Sequence, residues 1–449
     1  MEIPLKNEST SLDKEVVSLC TLRVCALAAV LAVSVVGQTT SPAVDASTIQ
    51  TLLDRLAAAE ARIKDLEQHQ AGAAPAQAAQ AALTPAAASS LMTAPDPAPT
   101  IAASADDDPH AHMMEIPGGP QLKIRGFFDF NYGAGNGANP LQFPLGVPAH
   151  NTFQAGEFDL FITSKLSDHL DFVGEVVFGA DQTNVLALDI ERYQLTWKQN
   201  EYFQISAGRY HSAIGYYNTA YHHGTWFGTA EGRPFMYYYE DSGGLLPVHN
   251  VGITATGLVP GTGSFHMHWV AEGGNGRSSD NTQQPVQNFQ SDRNHKSYNF
   301  AFYVRPDWLR GLQMGGSFYR DRLVPPGIPH VSQSIESAYA VFITPKWEFM
   351  NEAVLLTNKQ DNAANVFRTP LMYTQLARSF GKYKPYFRYQ YVNSPANDPI
   401  NVYTDRYQGP SVGVRYDFSD FAALKFQYNR IDQRATTSNS FNTQLGFTF

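Results

Sequence analysis

Cysteine is nearly absent: the 449 residues include two, Cys20 and Cys25, both close to the N-terminus. Loss of that segment on export would leave no thiol, which excludes disulfides and cysteine nucleophiles in the mature chain. Long apolar runs are equally scarce. Only 24–36 approaches a helical span, and it falls short of the roughly 20 residues that a bilayer requires. Basic excess is missing too. The net charge is −9, whereas a nucleic-acid binder needs a cationic face to displace condensed counterions.

What stands at the N-terminus fits export. Lys14 and Arg23 precede the apolar run, and Val35-Val36-Gly37 supplies side chains small enough for cleavage after Gly37, so 1–37 is read as a signal peptide. An uncleaved anchor is the alternative, since Asp13 and Glu15 interrupt the n-region.

Segment 38–70 carries a heptad pattern. Ile49, Leu56 and Ile63 share one seam position and Leu52, Ala59 and Leu66 the other, with Arg55, Glu60, Arg62 and Glu67 flanking. So short a helix is marginal alone. It is therefore expected to pair with copies of itself as a periplasmic coiled coil, or else to be an ordinary solvated amphipathic helix. Residues 71–118 are rich in Ala and Pro and lack aromatics, so they cannot bury a core and read as a disordered linker. The run Asp106-Asp107-Asp108-Pro109-His110-Ala111-His112 sits there without a scaffold to set metal geometry. No metal site and no cofactor is assigned.

From 119 to 449 polar and apolar residues alternate in runs of about ten, broken by turn residues, which is the pattern of a transmembrane β-barrel with one face to lipid and one to water. In Leu122-Lys123-Ile124-Arg125-Gly126-Phe127-Phe128-Asp129-Phe130 the even positions are apolar or Gly, and Lys123, Arg125 and Asp129 share the other face. The segments number about sixteen, from 121–132 to 440–449, and an even count returns both termini to one side, the periplasm. Connections alternate between short turns, such as Ser167-Asp168-His169, and long ones at 133–153, 211–247 and 273–295. Two irregularities stand out. Parity switches around Ile190 to Tyr193, and Arg209 falls on the lipid face, so a bulge or a strand end is expected.

The ending Leu445-Gly446-Phe447-Thr448-Phe449 resembles the C-terminal signal of bacterial porins, and Phe447 and Phe449 would engage the barrel-insertion machinery. The pair Ile190-Glu191-Arg192-Tyr193 and Ala207-Gly208-Arg209-Tyr210, with Ile214-Gly215 after it, is similar to porins of the phosphate-selective O and P type. That family usually has Pro-Phe-Gly where this chain has Ala213-Ile214-Gly215. The resemblance implies a homotrimeric, sixteen-stranded pore in the outer membrane for passive diffusion of small hydrophilic solutes, with the coiled coil reaching toward the cell wall. Phosphate selectivity does not carry over, because it needs a dense lumenal lysine ladder.

The long connection 211–247 lies where such porins fold a loop into the lumen. Its rings are costly outside, so Tyr217, His222, His223, Trp226, Glu231, Arg233, Tyr238, Glu240 and Asp241 are expected at a constriction. By parity Lys123, Arg125, Arg192, Arg305, Arg388, Arg415 and Lys425 face them from the wall, and opposite charges across narrow water would set a transverse field. Two other functions remain open: a sugar channel with stacking rings, and an outer-membrane enzyme or tether. No catalytic residue is assigned. His266 and His268 share a strand face without a third ligand.

Overall fold

The computed structural model describes residues 121–135, 151–180, 185–221, 224, 226–238, 244–278, 289–291, 293–401, 404 and 406–449. The expected signal peptide, coiled coil and linker lie outside the described residues.

Alternation of side-chain character every two residues drives the chain into strands, and the turns between them keep neighbours antiparallel. The first half comprises β1 (Gln121–Gly135), β2 (Thr152–Ser167), β3 (Leu170–Ala180), β4 (Leu186–Asn200), β5 (Phe203–His211), β6 (His249–Leu258), β7 (Met267–Gly274) and β8 (Ser297–Val304). The second comprises β9 (Leu312–Leu323), β10 (Val331–Ile343), β11 (Trp347–Gln360), β12 (Val366–Arg378), β13 (Tyr383–Asn393), β14 (Arg406–Asp417), β15 (Ala422–Asp432) and β16 (Thr437–Thr448). Each pairs with its sequence neighbours and β1 pairs with β16, closing the barrel. Closure removes every sheet edge, as a bilayer demands.

Exposure runs opposite to that of a soluble protein. Along β11 the outward Phe349 is 40% exposed while the inward Glu348 and Glu352 are 3% and 1% exposed, so the apolar face meets the surroundings and the polar face is covered from within. Phe300, Phe302, Tyr428 and Phe441 extend the apolar outer band. Phe127 keeps the inward parity of Lys123, Arg125 and Asp129 although it is apolar, and its ring packs on Phe227 of the long loop at 4.9 Å.

The two irregularities have a joint explanation. Glu175 pairs with Arg192 and Val176 with Ile190, which leaves Glu191 as the extra residue of a β-bulge. The bulge turns the Glu191 carboxylate toward Arg209, whose Nη2 lies 3.4 Å from it and whose Nε donates to the Glu191 carbonyl at 2.8 Å. Arg209 does pair on the outer face with Tyr193 and Val251, yet it is only 1% exposed. Phe289, from the 275–296 connection, covers its guanidinium at 4.7 Å.

The seam between β1 and β16 depends on a glycine. Gly126 and Phe449 exchange both backbone hydrogen bonds, at 2.8 and 3.0 Å, and the Phe449 ring lies so close that a Cβ on Gly126 would stand 2.3 Å from it. Substitution Gly126→Val is expected to push the terminal ring away and to weaken the closed barrel by about 1–3 kcal/mol, the usual cost of overpacking. A lowered temperature for the shift in electrophoretic mobility on heating would register the change; an unshifted transition would show that Phe449 does not hold the seam.

Candidate pore constriction

The connection between β5 and β6 turns into the lumen instead of standing outside. Gly215 makes the turn with φ of +76°, a conformation that suits glycine. A Cβ there would also meet the Tyr237 hydroxyl at 1.7 Å. After it comes one short helix, α1 (Tyr217–Ala220), then a crossing segment over 226–232, a helical turn at Phe235–Tyr237, and a return through Leu245, Leu246 and Val248.

Apolar side chains seat this loop against one wall. Ile214, Tyr217, Phe235, Tyr237 and Leu246 form a buried cluster with the inward Ile335, Met350, Val354, Leu371, Tyr373 and Tyr407 of β10, β11, β12 and β14. Tyr217 stacks on Tyr237 at 5.7 Å and meets the edge of Tyr373 at 6.3 Å. Arg233 lies over the Tyr217 ring at 5.5 Å and donates to the Tyr237 carbonyl at 2.9 Å. Tyr238 packs half-buried against Phe235 at 6.1 Å. These rings fill a core, so Tyr217, Phe235 and Tyr237 offer no free face to a sugar.

Polar anchors then fix the loop's register. Two of them, Glu348 and Glu352, were not among the expected site residues. Glu352 accepts from the backbone N–H of Tyr216 and Tyr217 at 2.7 and 3.0 Å and from the hydroxyls of Tyr237 and Tyr373 at 2.7 and 2.6 Å. The exposed amides of a short helix start, which no intrahelical carbonyl can satisfy, thus find a carboxylate. Glu348 accepts from Thr229 at 2.6 Å and from Lys384 at 2.7 Å. Their signal was present in the sequence: both are inward by parity, four residues apart in an otherwise apolar-rich strand.

Of the seven cations expected on the wall, Arg388, Arg415 and Lys425 hold the loop instead of facing water across it. Arg388 donates through Nη1 to the Gly232 carbonyl at 2.9 Å and through Nε to Gln375 at 2.7 Å. Arg415 donates to the carbonyls of Trp226 and Gly228 at 2.5 and 3.0 Å. Lys425 reaches Gln444 at 2.8 Å and the Ala230 carbonyl at 3.4 Å. At these three positions a carbonyl-rich loop draws the cations as ligands, and direct contact replaces the water column that the expected transverse field assumed there. Arg192 pairs with Glu175 at 2.6 Å. Lys123, Arg125 and Arg305 lie toward the end that carries the short turns.

Glu231 is buried on the same wall. Its carboxylate accepts from Gln427 and Asn442, each at 3.1 Å. Burial pushes its pKa up from the ordinary 4.5 to about 7, with Asp129 adding to the rise and Asn442, Lys425 and Arg388 opposing it. A carboxyl raised by docking favours the docked loop when protonated, so this contribution is complete below about pH 4.5 and is lost as pH rises through about 7. Conductance of the inserted protein is expected to increase between pH 5 and pH 8, and E231Q should flatten that dependence. An identical pH profile in E231Q would remove Glu231 from the account.

His222, His223, Glu240 and Asp241 lie outside the described residues. The letters G-x-S-x-G occur at Gly409-Pro410-Ser411-Val412-Gly413, in the middle of β14, where Ser411 bonds to Asn429 at 2.6 Å. A nucleophile elbow needs a strand-to-helix turn, so this is a lumen strand and not an esterase site.

The loop occupies the lumen unevenly. Inward residues of β11 to β15 are mostly buried beneath it, while on the other wall half-exposed Val173, Arg192, Gln194 and Thr196 of β3 and β4 and Tyr303 and Ser317 of β8 and β9 stand among buried Glu175, Glu272 and Asn299.

A closed sixteen-stranded antiparallel barrel with one connection folded inside is the architecture of bacterial outer-membrane porins. OmpF of Salmonella typhi, solved in complex with daunomycin, is similar over 74% of this chain and 98% of its own, with 11% identity and a TM-score of 0.51. An anion-selective porin from Comamonas acidovorans (10% identity, 74% and 100% covered, TM-score 0.49) and the outer-membrane channel DcaP of Acinetobacter baumannii (9%, 74% and 98%, 0.49) are also similar. No protein-family model matches the chain, and no curated protein matches it in sequence.

Proposed function

We propose that the protein is an outer-membrane porin that lets small hydrophilic solutes and ions diffuse passively along the wall of β2 to β4 and β7 to β9, past the edge of the docked loop. One observation carries this reading. The loop is latched to the opposite wall by two inward carboxylates, Glu348 and Glu352, and three inward cations, Arg388, Arg415 and Lys425, and polar, half-exposed side chains remain on the side it leaves. A plug would cover both walls. The long connections then lie outside the cell and both ends of the barrel chain lie on the periplasmic side. A homotrimer, with the N-terminal segment reaching toward the cell wall, completes the proposal.

The test is single-channel recording of the detergent-purified protein in a planar bilayer, with the reversal potential taken under a salt gradient. Discrete steps grouped in threes would support a trimeric pore and report its ion preference. A folded barrel that gives no steps would overturn the reading in favour of a tether.

A further inference from the structure

Most lumen cations are already matched. Arg192 pairs with Glu175, Lys384 with Glu348, Arg415 with Asp417 and loop carbonyls, and Lys198 with Asp171. Arg305 is arranged differently. It follows the last residue of β8, at the short-turn end of the half-exposed wall, and is itself exposed.

Its side chain is held without being neutralised. Nε donates to Gln313 Oε1 at 2.8 Å, and Gln313 Nε2 donates to the Tyr339 hydroxyl at 2.8 Å, so the carboxamide is oriented from behind. The guanidinium carbon lies 5.0 Å from the centroid of Tyr303, which stacks in parallel on His268 at 4.7 Å. Asp307, the nearest acid along the chain, is engaged by His266 at 3.0 Å. Among the described residues no carboxylate stands within ion-pair distance of Arg305, and its Nη1 and Nη2 groups meet no described acceptor. A planar guanidinium fixed at Nε and resting on a ring presents its remaining N–H edge as a fork, which matches the two oxygens of a carboxylate.

Resting on the channel reading above, we infer that Arg305 is a binding station for small carboxylate solutes, with Gln313, Tyr339 and Tyr303 as its positioning residues. The station lies beside the open path and not under the loop: Tyr339, the far end of the relay, touches the loop edge at Tyr216, 5.8 Å ring to ring. A carboxylate held there would pause where the path passes the loop. Chloride lacks the paired oxygens and would pass with less delay.

Succinate is the probe. Added in millimolar amounts to wild-type channels in potassium chloride, it is expected to reduce the current reversibly, and R305Q should need roughly tenfold more for the same reduction, the size of a lost charge-assisted hydrogen bond. R305K keeps the charge but not the fork, so it should retain the ion preference of wild type while losing most of the succinate effect. K346Q, a cation of the turn at the same end but outside the lumen, should match wild type. Equal succinate sensitivity in wild type and R305Q, or an equal loss in K346Q, would overturn the assignment. Calorimetric titration of succinate into the full-length protein in detergent repeats the comparison without conduction. A silent bilayer with Arg305-dependent heat would sink the pore and keep the station; conducting channels without that heat would do the reverse.

Discussion

Glu352→Leu is expected to release the lumen loop and give a larger, noisier conductance, the greatest change that a single substitution should cause in this channel. Four donors converge on that carboxylate, two of them backbone amides of the loop. Leucine fills the space but accepts nothing. Each buried donor left unsatisfied costs about 1–3 kcal/mol, so the docked state would lose several kcal/mol while the undocked loop recovers those bonds from water. The barrel itself should persist, because β11 keeps its ladders to β10 and β12. Cleavage of the loop by added protease, with unchanged heat stability of the barrel, would check the split between loop and wall. E352Q retains one acceptor oxygen and should fall between. A Leu variant with wild-type current and a protease-resistant loop would show that the apolar cluster alone holds the loop.

Arg388→Glu is expected to act from the opposite end of the loop with comparable force. The native guanidinium donates to the Gly232 carbonyl and to Gln375 Oε1, and the residue is only 2% exposed. A glutamate there would bring a buried charge against two acceptors with no donor in reach. Breaking a buried charged contact in this way costs roughly 3–5 kcal/mol. The loop should swing from β13, conductance should rise, and cation preference should rise with it, since a negative charge replaces a positive one on the wall that the displaced loop uncovers. Arg388→Met removes the donors without adding charge, so it should raise conductance with a smaller change in preference. Unchanged reversal potential and current in the Glu variant would mean that Gly232 is held by other groups.

These predictions rest on residues that the sequence made visible to different degrees. Parity alone put Arg388 and Arg415 on the inner face, because in a strand the face of every side chain follows from its position. Their partners were not visible. The contacts from Arg388 to Gly232 and from Arg415 to Trp226 span well over a hundred residues, and no local pattern states which wall a loop will meet once the barrel closes. Glu348 and Glu352 were legible as inward carboxylates in 347–357, yet nothing nearby marked them as acceptors for amides of residues 216 and 217. The bulge was foreshadowed by the parity switch, whereas the shelter over Arg209 came from a connection distant in sequence.

By itself the sequence determined a barrel of about sixteen strands, the identity of its inner and outer faces, and the connection rich enough in rings to turn inward. A period of two and the unequal lengths of alternating turns are local properties, and a bilayer allows strands only as a closed sheet. Tertiary structure alone decided where the loop rests, which cations become its ligands, and which guanidinium is left facing the open wall. Those outcomes depend on distances across the lumen, and such distances exist only after β1 has met β16.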